Sequence, residues 1–116
     1  MARVLIYDRV KYDFVIARRV TFDDVKTLID DLKTGESNSS IMSQLKIWGD
    51  DYRNIFTTDS IQKVEIHYDK YGEMSSKYNH MIIWANRYHM RIKLTNNQLQ
   101  QAEKRMRELP YPIKYY

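Results

Sequence analysis

From Arg87 to Leu94 the chain alternates without interruption: Arg87, His89, Arg91 and Lys93 at odd positions, Tyr88, Met90, Ile92 and Leu94 at even ones. Successive strand side chains point to opposite faces of a sheet. The run therefore predicts a strand with its apolar set in a core and a basic, imidazole-bearing row on the other face. The same period marks Ile61 to Tyr68, with Val64, Ile66 and Tyr68 inward and Lys63, Glu65 and His67 outward. His80 to Ala85 joins the basic strand either as a tight hairpin about Asn86-Arg87 or as one kinked strand. Arg3 to Val10 and Lys11 to Val20 read as two strands with a turn near Asp8 to Asp13, or as one long bent strand. The second has Tyr12, Phe14 and Ile16 on one face and Val15 and Ala17 on the other, so it is expected to be central. Ile41 to Trp48 is a further candidate strand.

Two stretches switch to the helical period. Val25, Leu28, Ile29 and Leu32 recur at i, i+3, i+4 and i+7, and Thr21 with Asp24 three residues on forms the pattern of a capping box. Gly35 is the expected stop. Thr95 and Gln98 repeat the box ahead of Leu99, Ala102, Met106 and Leu109, with Pro110 closing the helix. The aromatic tail from Tyr111 to Tyr116 is expected to dock on the sheet as an edge segment. The order β-β-α-β-β-β-(β)-α predicts a single α+β domain over residues 1–116: a mostly antiparallel curved sheet or small barrel with two helices.

Composition narrows the function classes. The chain has 116 residues, 43% apolar and 29% charged, enough for one domain with its own core. It contains no cysteine, which removes disulfides and thiolate metal sites and fits a cytoplasmic home. No stretch approaches the ~20 apolar residues of a membrane span, and the N-terminal run lacks the apolar core of a signal peptide. The charge is unevenly placed. Residues 1–58 hold nine Lys/Arg and nine Asp/Glu, whereas residues 59–116 hold ten against six, so the whole +4 surplus lies in the second half. That asymmetry points to an acidic partner.

The row Arg87, His89, Arg91 and Lys93 is the leading candidate for contacting one. Cations on one strand face recur at ~7 Å, close to the phosphate spacing of a nucleic-acid strand. The plainer reading of the row is a solvated, lysine-guarded edge. The loop from Asp69 to His80 adds Lys70-Tyr71 and Lys77-Tyr78, cations beside rings on which unstacked bases can lie. Trp84 reads as either core or stacking platform, and Trp48 likewise. The basic final helix, with Lys104, Arg105 and Arg107 beside Glu103 and Glu108, counts toward the same surface only if it adjoins the row.

Other chemistry finds less support. Glu65, His67 and Asp69 share a strand face, but a metal would need a ligand from another strand. The doublets Asp23-Asp24, Asp30-Asp31 and Asp50-Asp51 lack calcium-loop spacing. Three glycines leave no phosphate cradle, and there is no nucleophile elbow. The residues assign no catalytic group and no cofactor. A metal-independent ribonuclease would need only His, Tyr, Lys and Arg, but the alternation puts Tyr88 on the face opposite His89 and Arg91.

The layout from Lys11-Tyr-Asp-Phe-Val-Ile-Ala-Arg-Arg-Val20 through Thr21-Phe-Asp-Asp-Val25 to Ile61-Gln-Lys-Val-Glu-Ile66 resembles small proteins of Gram-positive plasmids and phages. In size, charge and element order it is similar to the PrgU-like regulators of enterococcal conjugative plasmids. That resemblance implies a PUA-like, RNA-binding fold and a role in restraining expression of toxic surface adhesins; it carries over no individual residue. Small phage-borne inhibitors of host defence share the look. The expectation is thus a cytoplasmic, non-enzymatic regulator that binds RNA or another single strand. The expected contacts are Arg87, Arg91 and Lys93 to phosphate, His89 as a pH-dependent contact, and Lys70, Tyr71, Lys77, Tyr78 and Trp84 around bases. The alternative is a protein-binding inhibitor, for which the tyrosines and acidic doublets would be the contact residues.

Overall fold

The computed structural model describes residues 2–34, 46–47, 50–51, 56, 60–68 and 79–116. In chain order the elements are β1 (Ala2–Asp8), β2 (Asp13–Val20), α1 (Phe22–Thr34), β3 (Lys46–Ile47), β4 (Asp50–Asp51), β5 (Lys63–His67), β6 (His80–Trp84), β7 (Tyr88–Lys93), α2 (Asn96–Met106) and β8 (Ile113–Tyr115). Six strands form one sheet in the order β2-β1-β7-β6-β5-β8, while β3 and β4 pair separately. Among the described strands, only β8 runs parallel to its neighbour. The sheet is mixed and does not close, so the fold is α+β with an open sheet rather than a small barrel.

Both helices lie on one face of the sheet, where the apolar stripes meet. Val25, Leu28, Ile29 and Leu32 of α1 and Leu99, Ala102 and Met106 of α2 share a core with Val4, Ile6, Val64, Ile66, Met81, Ile83, Met90 and Ile92. Both starts are capped as the sequence predicts. Thr21 Oγ1 accepts from the Asp24 amide while Asp24 Oδ2 accepts from the Thr21 amide, each at 3.1 Å. Thr95 and Gln98 make the same reciprocal pair. Of the doublet late in α1, Asp30 is exposed and Asp31 is buried.

The strand alternation holds: Tyr88, Met90, Ile92 and Leu94 are all buried. β6 and β7 form the tight hairpin, with the Ala85 amide donating to the Tyr88 carbonyl at 2.9 Å. The tail docks on β5 as an edge strand. β2 corrects the expectation of a central strand, because it lies at the sheet edge with β1 as its sheet neighbour. A bulge explains its misleading pattern. Ile6 faces Ile16 but Tyr7 faces Phe14, so Val15 is the extra residue and Phe14 does not share a face with Ile16.

Candidate nucleic-acid interface

Strand register determines what stands on the sheet face turned away from the helices. Three rows cross it. The first runs Arg19, Arg3, Lys93, His80 and His67 over β2, β1, β7, β6 and β5. The second runs Ala17, Leu5, Arg91, Ile82, Glu65 and Lys114, and the third Phe14, Tyr7, His89, Trp84 and Lys63. Among the described residues this face carries Arg3, Arg19, Lys63, Arg91, Lys93 and Lys114 against the single carboxylate Glu65. That carboxylate is already held by Lys63 at 3.3 Å and His67 at 2.9 Å. Burial opposes its ionisation, yet the bonds from His67 and Lys63 leave its pKa below the usual range.

The first row breaks a rule of sheet stability. Arg19, Arg3 and Lys93 are direct cross-strand neighbours on adjacent strands, and like charges placed opposite each other destabilise. Two unit charges ~6 Å apart in water repel by roughly 0.7 kcal/mol, and less where exposed side chains splay apart. Among the described residues none of the three has a carboxylate partner. A polyanion lying across β2, β1 and β7 would turn that repulsion into attraction.

The third row is a line of touching rings. Tyr7 meets Phe14 edge-on at 5.1 Å and His89 face-on at 5.0 Å, and His89 meets Trp84 at 4.6 Å. The Arg9 guanidinium and the Lys63 ammonium lie 5.1 and 5.2 Å from the Trp84 ring centre. A second stack joins His80, His67 and Tyr116 at 4.4 and 4.6 Å. Where two rings stack, as Tyr7 with His89 and His67 with His80 and Tyr116, their inner faces are occupied, which leaves the outer faces for a base.

The sequence candidates fare differently. Lys93 and Arg91 stand half-exposed on the face as predicted. Arg87 lies in the hairpin turn, and its Nε and Nη2 donate to both oxygens of buried Asp8 at 3.0 and 2.8 Å, so its guanidinium, although exposed, is already paired within the protein. That bond is the main reason the Asp8 pKa falls to about 2. His89 is not a surface contact: it is 7% exposed. Burial first, then the charges of Arg91 and Arg9, hold its pKa down to about 4, so the ring is neutral at pH 7. Trp84 belongs to the ring row. Lys70, Tyr71, Lys77, Tyr78 and Trp48 lie outside the described residues.

The basic helix does not join this surface. It packs on the other side of the sheet, where Arg105 pairs with Asp30 at 3.3 Å, Lys33 with Glu108 at 2.7 Å, and Arg107 with Glu103. Reading the sequence alone missed Arg3, Tyr7, Arg9, Arg19 and Lys63. For Arg3 and Tyr7 the sequence signal is odd-position parity with Leu5 in β1, which has no meaning until β1 is known to lie beside β7; Lys63 is legible as outward on its strand but not as a neighbour of Trp84.

Among the described residues no group of three or more His, Asp or Glu side chains is placed to hold a metal ion. No described helix is long and apolar enough to cross a membrane, which leaves strand-built spans aside. In comparisons with protein-family models, curated proteins and solved structures, none matches this chain.

Proposed function

We propose that this protein is a non-enzymatic regulator that binds single-stranded nucleic acid, most simply RNA, across the helix-free face of its sheet. The observation that carries the reading is the row Arg19, Arg3 and Lys93, three cations at directly paired cross-strand positions, an arrangement of the kind that costs a sheet stability. Local rules broken in this way concentrate at functional sites. The adjoining rings and the Arg9 and Lys63 cations supply stacking and further charge for a flexible strand. The similarity to PrgU-like plasmid regulators agrees with an RNA-directed role in gene expression.

The test is a salt titration of binding to a fluorescein-labelled ten-nucleotide RNA. Three or four phosphate contacts give a log–log slope of about −2 to −3 at roughly 0.7 per contact. Undetectable binding at 50 mM salt would end the proposal.

A second reading rests on a different observation. Val10 and Tyr12, at the β1–β2 turn, are 64% and 81% exposed, an apolar tip suited to a protein partner. A protein that stays bound to the chain after nuclease treatment, and is lost on Tyr12→Ser, would favour this inhibitor-like role.

A further inference from the structure

The basic row of the sheet face continues past His67 onto β8. Tyr115 pairs with Ile66, and the Tyr116 amide donates to the Ile66 carbonyl at 2.9 Å, which sets Tyr116 beside His67. Its ring lies 4.6 Å from the imidazole and 5° from parallel. His80, from the strand on the other side of β5, covers the opposite face of His67 at 4.4 Å and 13°. Counted from β2, the row is therefore Arg19, Arg3, Lys93, His80, His67 and Tyr116: cations on three strands, then rings on the next three.

Alternation along β8 separates the two tail tyrosines. Tyr115 turns to the helix side, where its hydroxyl accepts from Arg107 Nε at 3.4 Å. Lys114 and Tyr116 stand on the basic face, both exposed. β8 is the last strand of the sheet, so no strand of the sheet covers the far side of the Tyr116 ring, which is 50% exposed. The ring is thus fixed through its backbone, held flat on His67 and open on its other face. Such a preset surface loses little entropy when a ligand lies on it. A base stacks through its π-face, which all four bases share, so the arrangement suits any unpaired base. Duplex bases are already stacked on one another and offer no such face.

We propose that Tyr116 is a base-stacking platform at the end of the basic row, so that this face holds a single strand by an unpaired base as well as by its phosphates. The inference deepens the strand-binding reading above and rests on it. Neighbouring strands lie ~4.8 Å apart, so the row from Arg19 to Tyr116 spans ~24 Å. That is the length of about four nucleotides of extended strand, at the short end of single-strand sites. Lys114, two residues before Tyr116 on the same face and ~7 Å away, is placed for the phosphate of the stacked nucleotide.

The test is a binding cycle on the full chain, read by anisotropy at 50 mM salt. The ligands are a labelled adenosine pentamer, its abasic counterpart with the same phosphates, and a ten-base-pair RNA duplex. Tyr116→Ala should weaken the pentamer about fivefold or more, the loss of one stacked base. Tyr116→Leu, which covers His67 without a π-face, should lose as much, and Tyr116→Phe, which keeps the ring, should stay within about twofold of wild type. The alanine change should cost the abasic strand and the duplex less than about twofold, because neither offers a base. A pentamer loss matched by the abasic strand and the duplex would mean that Tyr116 only anchors the tail, and it overturns the platform. Alanine and leucine variants that bind the pentamer like wild type also overturn it. Both results spare the strand reading, as does binding of the ten-nucleotide RNA without the pentamer, which overturns the platform through its length. If wild type binds neither strand, both readings fall.

Discussion

Replacing His89 with phenylalanine should stabilise the protein, and more so in acid. The imidazole is 7% exposed, stacks on Tyr7 at 5.0 Å and meets Trp84 at a tilt at 4.6 Å, contacts a phenyl ring can keep. Two partnerless ring nitrogens disappear, each an unsatisfied group of the kind that costs about 1–3 kcal/mol when buried. The larger ring gives back about 1 kcal/mol in crowding, so at the low end of that range the gain is about 1 kcal/mol at pH 7.5. The pH dependence adds to it. His89 has a pKa near 4 when folded against an ordinary 6.5, so its full stability is present above pH 6.5. It is lost as pH falls from 6.5 toward 4, because the unfolded chain takes up the proton first. The whole shift corresponds to roughly 3 kcal/mol, and screening by the solvent nearby reduces this to about 1–2 kcal/mol. Urea unfolding followed by tryptophan fluorescence should show the variant's advantage growing from about 1 kcal/mol at pH 7.5 to about 2–3 kcal/mol at pH 4.5. A variant less stable than wild type at pH 7.5, with a difference that does not change at pH 4.5, would refute the reasoning.

Further consequences follow from neighbouring residues. Asp8 has its pKa lowered to about 2 by Arg87, so its contribution is complete above pH 4 and fades between about 4 and 2. Asp8→Asn should be less stable than wild type at neutral pH in urea melts, and the two curves should converge by pH 2. Ile92→Glu buries an unpaired charge at a fully buried position and should cost more than about 3 kcal/mol, leaving a chain without native near-UV circular dichroism. Lys93→Glu, its half-exposed neighbour, should stay folded; normal folding of the first with unfolding of the second would invert the strand register. Thr95→Ala removes one half of a capping box and should lower stability by about 1 kcal/mol, read as a lower urea midpoint at constant m-value.

What the sequence disclosed was local. The parity of Tyr88, Met90, Ile92 and Leu94, the stripe of α1 and both capping boxes depend on residues within one or two turns of each other. What it concealed depends on partners far along the chain. Arg87 looks like a free cation because Asp8, which engages it, is 79 residues away. His89 looks like the exposed middle of a basic row because Tyr7 and Trp84, which enclose it, come from the two adjacent strands. β2 reads as central because one bulged residue, Val15, shifts Phe14 out of step with Ile16. The basic helix drew attention by its composition, yet Arg105 and Arg107 are occupied by Asp30 and Glu103, and Glu108 just beyond the helix pairs with Lys33 of α1.

The central claim concerns a face of the molecule, and two double variants of equal charge change test it directly. Arg3→Glu with Lys93→Glu reverses the row on the sheet; Lys104→Glu with Arg105→Glu reverses two cations on the helix side. Anisotropy of the labelled RNA should show the sheet variant binding at least thirtyfold more weakly at 50 mM salt. Its salt slope should fall by about 1.4, two contacts at roughly 0.7 each, while the helix variant stays within about threefold of wild type. Equal losses in both would mean that net charge alone attracts the strand, and a larger loss in the helix variant would contradict the sheet-face account.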